Sequence, residues 1–175
     1  KKNGPSKKNL FSLTNPEKTV VAWELVKSLK DFHDLDILHR DIKPGNIMLN
    51  QYGGHWGGIF IDFGLSMFMN QVERRRAESG TLIFNSPRLW KSCLATDSNE
   101  CGKFYKSDDI WALGISLYYL KFGKLPPWTE KLGDVMGLDS MKIEEYECIR
   151  ELEANKDDIL GQVIWHFLRP DPQEM

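Results

Sequence analysis

The residues best suited to chemistry lie in one run, His39-Arg40-Asp41-Ile42-Lys43-Pro44-Gly45-Asn46, with Asp62-Phe63-Gly64 beginning sixteen residues after Asn46. An acid, a lysine, an amide and a second acid follow in one short order, and that order suits phosphoryl transfer. A carboxylate at Asp41 can accept the proton of an attacking hydroxyl. An ammonium at Lys43 can neutralise a phosphoryl group in motion. Asn46 and Asp62 offer an amide oxygen and a carboxylate. Mg²⁺ is a hard cation that takes few protein oxygens and keeps several waters, so this pair suits it.

Such residues need a scaffold, and 175 residues suffice for one domain with a sizeable core. A hydrophobic share of 41% and a charged share of 27% are ordinary for a globular chain. Lys and Arg number 23 against 25 Asp and Glu, a net charge of −2, which gives no sign of nucleic-acid binding. Lysines within residues 1–8 and Arg74-Arg75-Arg76 read as solvated surface. Cys93, Cys101 and Cys148 form neither an even set nor a CxxC pair, which argues against a disulfide framework or a zinc site and for a reducing compartment. The polar N-terminus lacks the apolar core of a signal peptide. The most apolar run, residues 110–120, is too short for a membrane span and reads as a buried helix. Because the chain opens on Lys1, it reads as a fragment or a processed piece.

Residues 1–15 read as a linker. Pro16 suits the first turn of a helix capped by Asn15, and apolar residues from Val20 to Phe32 recur at helical spacing. Ile47-Met48-Leu49 and Ile59-Phe60-Ile61 predict a hairpin with a long glycine-rich turn between them. The glycines do not make a phosphate loop, since the spacing is not GxGxxG and no helix follows. Residues 65–85 predict a long loop closed by Ser86-Pro87. A short helix follows over 88–93. Ser107 is expected to cap an apolar helix over 109–120, and two further helices fall at 143–152 and 159–168.

In this order the motifs resemble the C-terminal lobe of a eukaryotic-type protein kinase, serine/threonine type. His39-Arg40-Asp41 with Asn46 is similar to the catalytic loop, and Asp62-Phe63-Gly64 to the magnesium motif. Gly80-Thr81, Phe84 and Ser86-Pro87-Arg88 resemble the end of the activation segment. Asp109-Ile110-Trp111-Ala112-Leu113-Gly114 resembles the start of the central buried helix, and Asp171-Pro172 a late landmark. The resemblance implies a mainly α fold over residues 16–175, a helical bundle with a small β-hairpin beside the catalytic loop. It implies ATP and Mg²⁺ as cofactors, a protein substrate, no nucleic-acid or membrane partner, and an intracellular, cytoplasmic or nuclear setting. By resemblance Asp41 is the catalytic base, Lys43 contacts the γ-phosphate, and Asn46 and Asp62 hold magnesium. Met48 and Ile61 would line the adenine pocket. Thr81 would bond Asp41 and Lys43, and Asp109 would hold the catalytic loop through backbone N–H groups. His39 reads as a packed structural histidine, while Asp109 as a plain helix cap and Met48 as ordinary core stay open. Ser79, following three arginines, is the expected phosphorylation site. Residues 80–87 and 106–128 also resemble the calcium/calmodulin-dependent protein kinase kinases.

Three features depart from the family pattern. No glycine-rich loop, strand lysine or partner glutamate precedes Pro16, so the N-terminal β lobe is absent from this chain and is expected upstream in a longer protein. Arg88 stands where the family has glutamate, and an Arg88–Glu174 pair with swapped charges is one reading. The 46–62 hairpin is longer than usual. Alternative readings are a non-catalytic kinase-like scaffold or truncated product, and a small-molecule phosphotransferase with a similar aspartate–asparagine spacing. Lys43, the 80–88 segment and the 109–114 motif favour protein substrates over the latter.

Overall fold

The computed structural model describes residues 12–71, 81–94, 103–131 and 147–169. The first helix, α1 (Asn15–Asp34), starts one residue earlier than the proline suggests. Thr14, not Asn15, is the cap. Its hydroxyl accepts the Glu17 N–H at 3.4 Å, and Glu17 Oε2 accepts the Thr14 N–H at 2.7 Å. This reciprocal box satisfies two donors that the first turn leaves orphaned. Leu13 is buried, so the expected linker is part of the packed structure from this residue on. Val21, Ala22, Leu25, Leu29 and His33 form the buried face of α1.

Strand β1 (Ile37–Leu38) follows, then a 3-10 turn at Pro44–Asn46, β2 (Ile47–Tyr52), β3 (His55–Phe60) and β4 (Met67–Phe68). β2 and β3 pair antiparallel from Ile47 opposite Phe60 to Tyr52 opposite His55. The glycine-rich turn is therefore shorter than the sequence suggests. It is the two residues Gly53 and Gly54, with φ of 56° and 88°, the left-handed pair that a tight hairpin requires. Gly57 and Gly58 belong to the strand. A Cβ on Gly58 would lie 2.9 Å from Leu25 Cγ and 3.0 Å from Val21 Cγ1, so the glycine lets β3 lie directly on α1. Gly58→Ala is expected to cost about 1–3 kcal/mol by overpacking. Gly45→Ala, where an added Cβ meets nothing within 4 Å, should be far milder. Denaturant midpoints of the two variants check this.

Within the expected 65–85 loop, β4 pairs with β1, Ile37 opposite Phe68 and Leu38 opposite Met67. A 3-10 turn at Leu82–Phe84 precedes α2 (Pro87–Leu94). The central helix α3 (Lys106–Phe122) begins before the expected Ser107 cap. Asp108 at its third position closes the first turn by accepting the Tyr105 N–H at 2.7 Å. Gly123, at φ 71°, ends it. Trp111, Leu113, Ile115, Leu117 and Tyr118 are buried, which explains a run apolar on every face. α4 (Glu147–Ala154) and α5 (Ile159–Phe167) complete the helices, and Lys121 pairs with the α5 cap Asp158 at 2.6 Å. Side chains of α1, α3, α4 and α5 meet in one core with Trp56 and Phe60 of β3. The fold is mainly α with two small two-stranded sheets among the described residues. No described helix is long and apolar enough to cross a membrane. Ser79, Arg74-Arg75-Arg76, Asp171-Pro172, Cys93's side chain and Cys101 lie outside the described residues.

Candidate active site

The 39–46 loop is held from below by α3. Asp109, fully buried, accepts the His39 N–H at 2.8 Å on Oδ2 and the Arg40 N–H at 2.9 Å on Oδ1. His33 Nε2 of α1 lies 3.1 Å from Oδ2 and shares the same carboxylate. Asp109 thus anchors the loop, and Asp108 does the helix capping. Arg40 takes φ of 68°, a left-handed turn that an ordinary residue adopts only where its surroundings hold it. Two adjacent backbone N–H groups on one charged acceptor supply that hold. Arg40's guanidinium reaches the Leu65 carbonyl at 3.5 Å and Met67 Sδ at 3.2 Å. His39 is buried, with ring centroids 5.5 Å from Phe60 and 5.0 Å from Phe63, a packed side chain as expected.

Above this anchor the polar residues converge. Lys43 Nζ donates to Asp41 Oδ2 at 2.7 Å and to Thr81 Oγ1 at 3.0 Å. Asn46 Nδ2 donates to the same Asp41 Oδ2 at 2.8 Å and to the Asp41 carbonyl at 2.9 Å. Four residues from two distant segments, 38 positions apart between Lys43 and Thr81, are therefore joined through one carboxylate and one ammonium. The side-chain bonds from Lys43 and Asn46 both fall on Oδ2 of Asp41, and none reaches its Oδ1 among the described residues.

The hairpin supplies the second acid. The Ile61 N–H donates to the Asn46 carbonyl at 2.9 Å, continuing the β2–β3 ladder. This places Asp62, one residue on, beside Asn46. Asp62 sits at φ of 63°, its Oδ1 accepting the Gly64 N–H at 3.3 Å, and it is exposed. With Nδ2 of Asn46 committed to Asp41, its Oδ1 is the free end of the amide. One amide oxygen and one exposed carboxylate fit Mg²⁺, which completes its shell with water and phosphate oxygens. No cluster of three or more His, Cys, Asp or Glu suited to a metal occurs among the described residues.

Ile61 is half-buried. Met48 is 46% exposed on β2, so it is not ordinary core. Phe63 packs edge-on against Phe32 of α1, with ring centroids 5.4 Å apart.

Arg88 finds a partner that sequence reasoning missed. It is paired with Asp108 of α3, donates to the Lys103 carbonyl at 2.9 Å and stacks on Tyr105 at 4.5 Å. The Ser86 hydroxyl donates to the same Asp108 carboxylate. Glu174, the partner proposed from sequence, lies outside the described residues. Two consecutive acids opening a helix read locally as caps, and no local pattern marks which of them faces a distant arginine. His33 was missed for the same reason, since it meets Asp109 across 76 positions.

Burial pushes the Asp108 carboxyl above its ordinary range, while Arg88, the Ser86 hydroxyl and the Tyr105 N–H pull it back. The folded state thus holds the Asp108 proton more tightly than the unfolded chain does. Ionised Asp108 lowers stability as pH rises through the folded value. Removing Arg88 raises that value further. Arg88→Met is therefore expected to destabilise by about 1.5–3 kcal/mol at pH near 8. The loss should shrink as pH falls towards about 4, where an unperturbed carboxyl protonates. Melting temperatures of both proteins across this range check it.

Two acids, a lysine and an amide are thus set on one helix-anchored loop and one hairpin. The chain belongs to the protein kinase domain family, which matches residues 5–174. It is 29% identical over 96% of its length to a probable myosin light chain kinase of Dictyostelium discoideum, of which it covers 32%. It is 35% identical over 79% of its length to the serine/threonine-protein kinase PLK2 of Mus musculus, of which it covers 17%. It is 31% identical over 90% of its length to calcium-dependent protein kinase 31 of Arabidopsis thaliana, of which it covers 28%. The chain thus spans about a third or less of the length of these relatives.

Proposed function

We propose that this chain is the C-terminal lobe of an ATP-dependent serine/threonine protein kinase. On this reading it carries the base, the phosphate-contacting lysine and the metal ligands, and a nucleotide-gripping lobe lies elsewhere in the longer protein. The observation that carries the reading is Lys43 bonded at once to Asp41 and Thr81, with Asn46 on the same carboxylate. Mg²⁺ with ATP supplies the phosphoryl group and screens its charge. Asp41 would orient the hydroxyl of a protein serine or threonine and take its proton on Oδ1 as the oxygen bonds to the γ-phosphorus, while the bond from that phosphorus to the β–γ bridging oxygen breaks and ADP leaves with the electron pair. Lys43 offsets negative charge on the transferred group, and its bond to Thr81 holds it over Asp41. Asn46 and Asp62 bind the metal through oxygen. Exposed Met48 and half-buried Ile61 fit one wall of an adenine pocket whose other wall another lobe would supply.

The names of the relatives support the Ser/Thr class, and Thr81 on Lys43 favours a protein substrate over a small molecule. In the full-length protein, Asp62→Ala and Asn46→Ala should each weaken Mg²⁺-dependent ATP binding by roughly tenfold or more, the worth of one charge-assisted contact. Binding unmoved by either substitution would remove the metal assignment. The second reading, a non-catalytic kinase-like scaffold, is favoured by one observation, Arg88 in place of glutamate. It predicts binding partners but no transfer.

A further inference from the structure

Adjacent acids of α3 hold two different segments. Asp109 holds the 39–46 loop through two backbone N–H groups. Asp108 holds the 81–88 segment through the Ser86 hydroxyl and the Arg88 guanidinium. The two segments meet again only a few residues away, where Lys43 bonds Thr81 at 3.0 Å. Thr81 to Ser86 is therefore a span fastened at both ends, with Phe84 buried between them. Between the segments lies a small cleft lined by Asp41, Thr81, Phe84, Asn85 and Asp108.

From this geometry we infer that Arg88 and Asp108 form a positioning clamp. The clamp sets the height of the 81–86 span over Asp41 and so shapes the seat of the protein substrate beside the base. The inference rests on the kinase reading above for its substrate arm only. Several features favour a clamp over an incidental surface pair. Asp108 is 1% exposed, and its carboxylate also accepts the Tyr105 N–H at 2.7 Å, so it cannot swing away. Arg88 is fixed on its other sides by the Lys103 carbonyl at 2.9 Å and the Tyr105 ring at 4.5 Å. The Ser86 oxygen in turn accepts the Leu89 N–H at 3.1 Å, which ties the start of α2 to the same carboxylate. Both hydrogen bonds leave one nitrogen, Nη2, while the guanidinium lies over the Tyr105 ring, a stack that lysine cannot reproduce in full.

The span carries its own reporters. The N–H groups of Phe84, Asn85 and Trp90 are bonded to Thr81, Leu82 and Ser86 carbonyls at 2.9, 3.0 and 3.0 Å. Their exchange with solvent deuterium reads whether the span is fastened. The test uses the full-length protein and the variants Arg88→Met, Asp108→Asn, their double, and Arg88→Lys, which keeps the charge if Arg88→Met does not fold. Each of Arg88→Met and Asp108→Asn should speed exchange across residues 82–90 roughly tenfold, and the double should be no faster than either single, as coupled partners require. Arg88→Lys should fall between wild type and Arg88→Met. With a serine or threonine peptide as substrate, the singles should raise the peptide KM by a similar factor and leave the ATP KM within about twofold, a split that general destabilisation does not produce. Additive exchange effects, or exchange unchanged in the singles, would overturn the clamp. An equal rise in both KM values would overturn its role in seating the substrate. If the folded wild-type protein transfers no phosphate, the kinase reading fails, and the exchange arm still decides the clamp by itself.

Discussion

Asp41→Asn in the full-length protein is expected to lower kcat for peptide phosphorylation by about 10²–10⁴-fold, the usual worth of a positioned general base. The substitution keeps shape and removes only the ability to take a proton. An asparagine oxygen at the Oδ2 position can still accept from Lys43 and from Asn46, which now lie at 2.7 and 2.8 Å. The fold should therefore survive, with a melting temperature close to wild type, and the ATP KM should hardly move. The effect belongs to the transition state alone, so kcat and kcat/KM should fall together. A kinetic scan with ATP and peptide varied separately separates this from a general loss of binding. A loss confined to KM would mean that Asp41 positions substrate without acting as base.

Asp109→Ala should be the most damaging single change to the fold around the site. Asp109 is wholly buried and serves two backbone N–H groups and His33. Truncation leaves all three donors without an acceptor inside the protein, and hydrogen bonds to charged groups are worth about 1.5–3 kcal/mol each. Bonds that share one carboxylate do not add independently, and a total of about 3–5 kcal/mol is expected, a large share of the stability of one domain. The loop then loses what holds Arg40 at φ 68°, and activity should disappear with it. Asp109→Asn keeps one acceptor but turns an N–H group towards a donor, so it should recover only part of the loss. Denaturant unfolding of the two variants, followed by their activity under conditions where both remain folded, measures each effect apart.

What could be read from the sequence follows the range of the interactions involved. The 39–46 run, the second acid and the buried α3 are local patterns of residue type and spacing, and the helix expected over 109–120 lies within α3. Thr81 on Lys43 and Asp109 under the loop are long-range contacts, legible only because the motifs resemble a known family. The two β-type runs point to the hairpin, but the glycines between them suggest a longer turn and shorter strands than Ile47–Tyr52 and His55–Phe60. Gly57 and Gly58 look like turn residues in sequence, yet they serve close packing of β3 on Val21 and Leu25. The pairing of Met67-Phe68 with Ile37-Leu38 left no trace in periodicity, because two residues per strand carry none. His33 and Arg88 were hidden for a third reason. A buried polar side chain announces itself through its partner, and these partners lie 76 and 20 positions away.

On the proposed reading, Asp41, Lys43, Asn46 and Asp62 serve phosphoryl transfer to a protein hydroxyl. The most direct measurement is transfer of label from the γ-position of ATP to serine- and threonine-containing peptides by the full-length protein, with and without Mg²⁺. Wild type, Asp41→Asn and Asp62→Ala should be run side by side. Mg²⁺-dependent label on serine or threonine is expected in wild type, with almost none in either variant. Label that persists in both variants, or a folded wild-type protein that binds Mg-ATP and labels nothing, would contradict it.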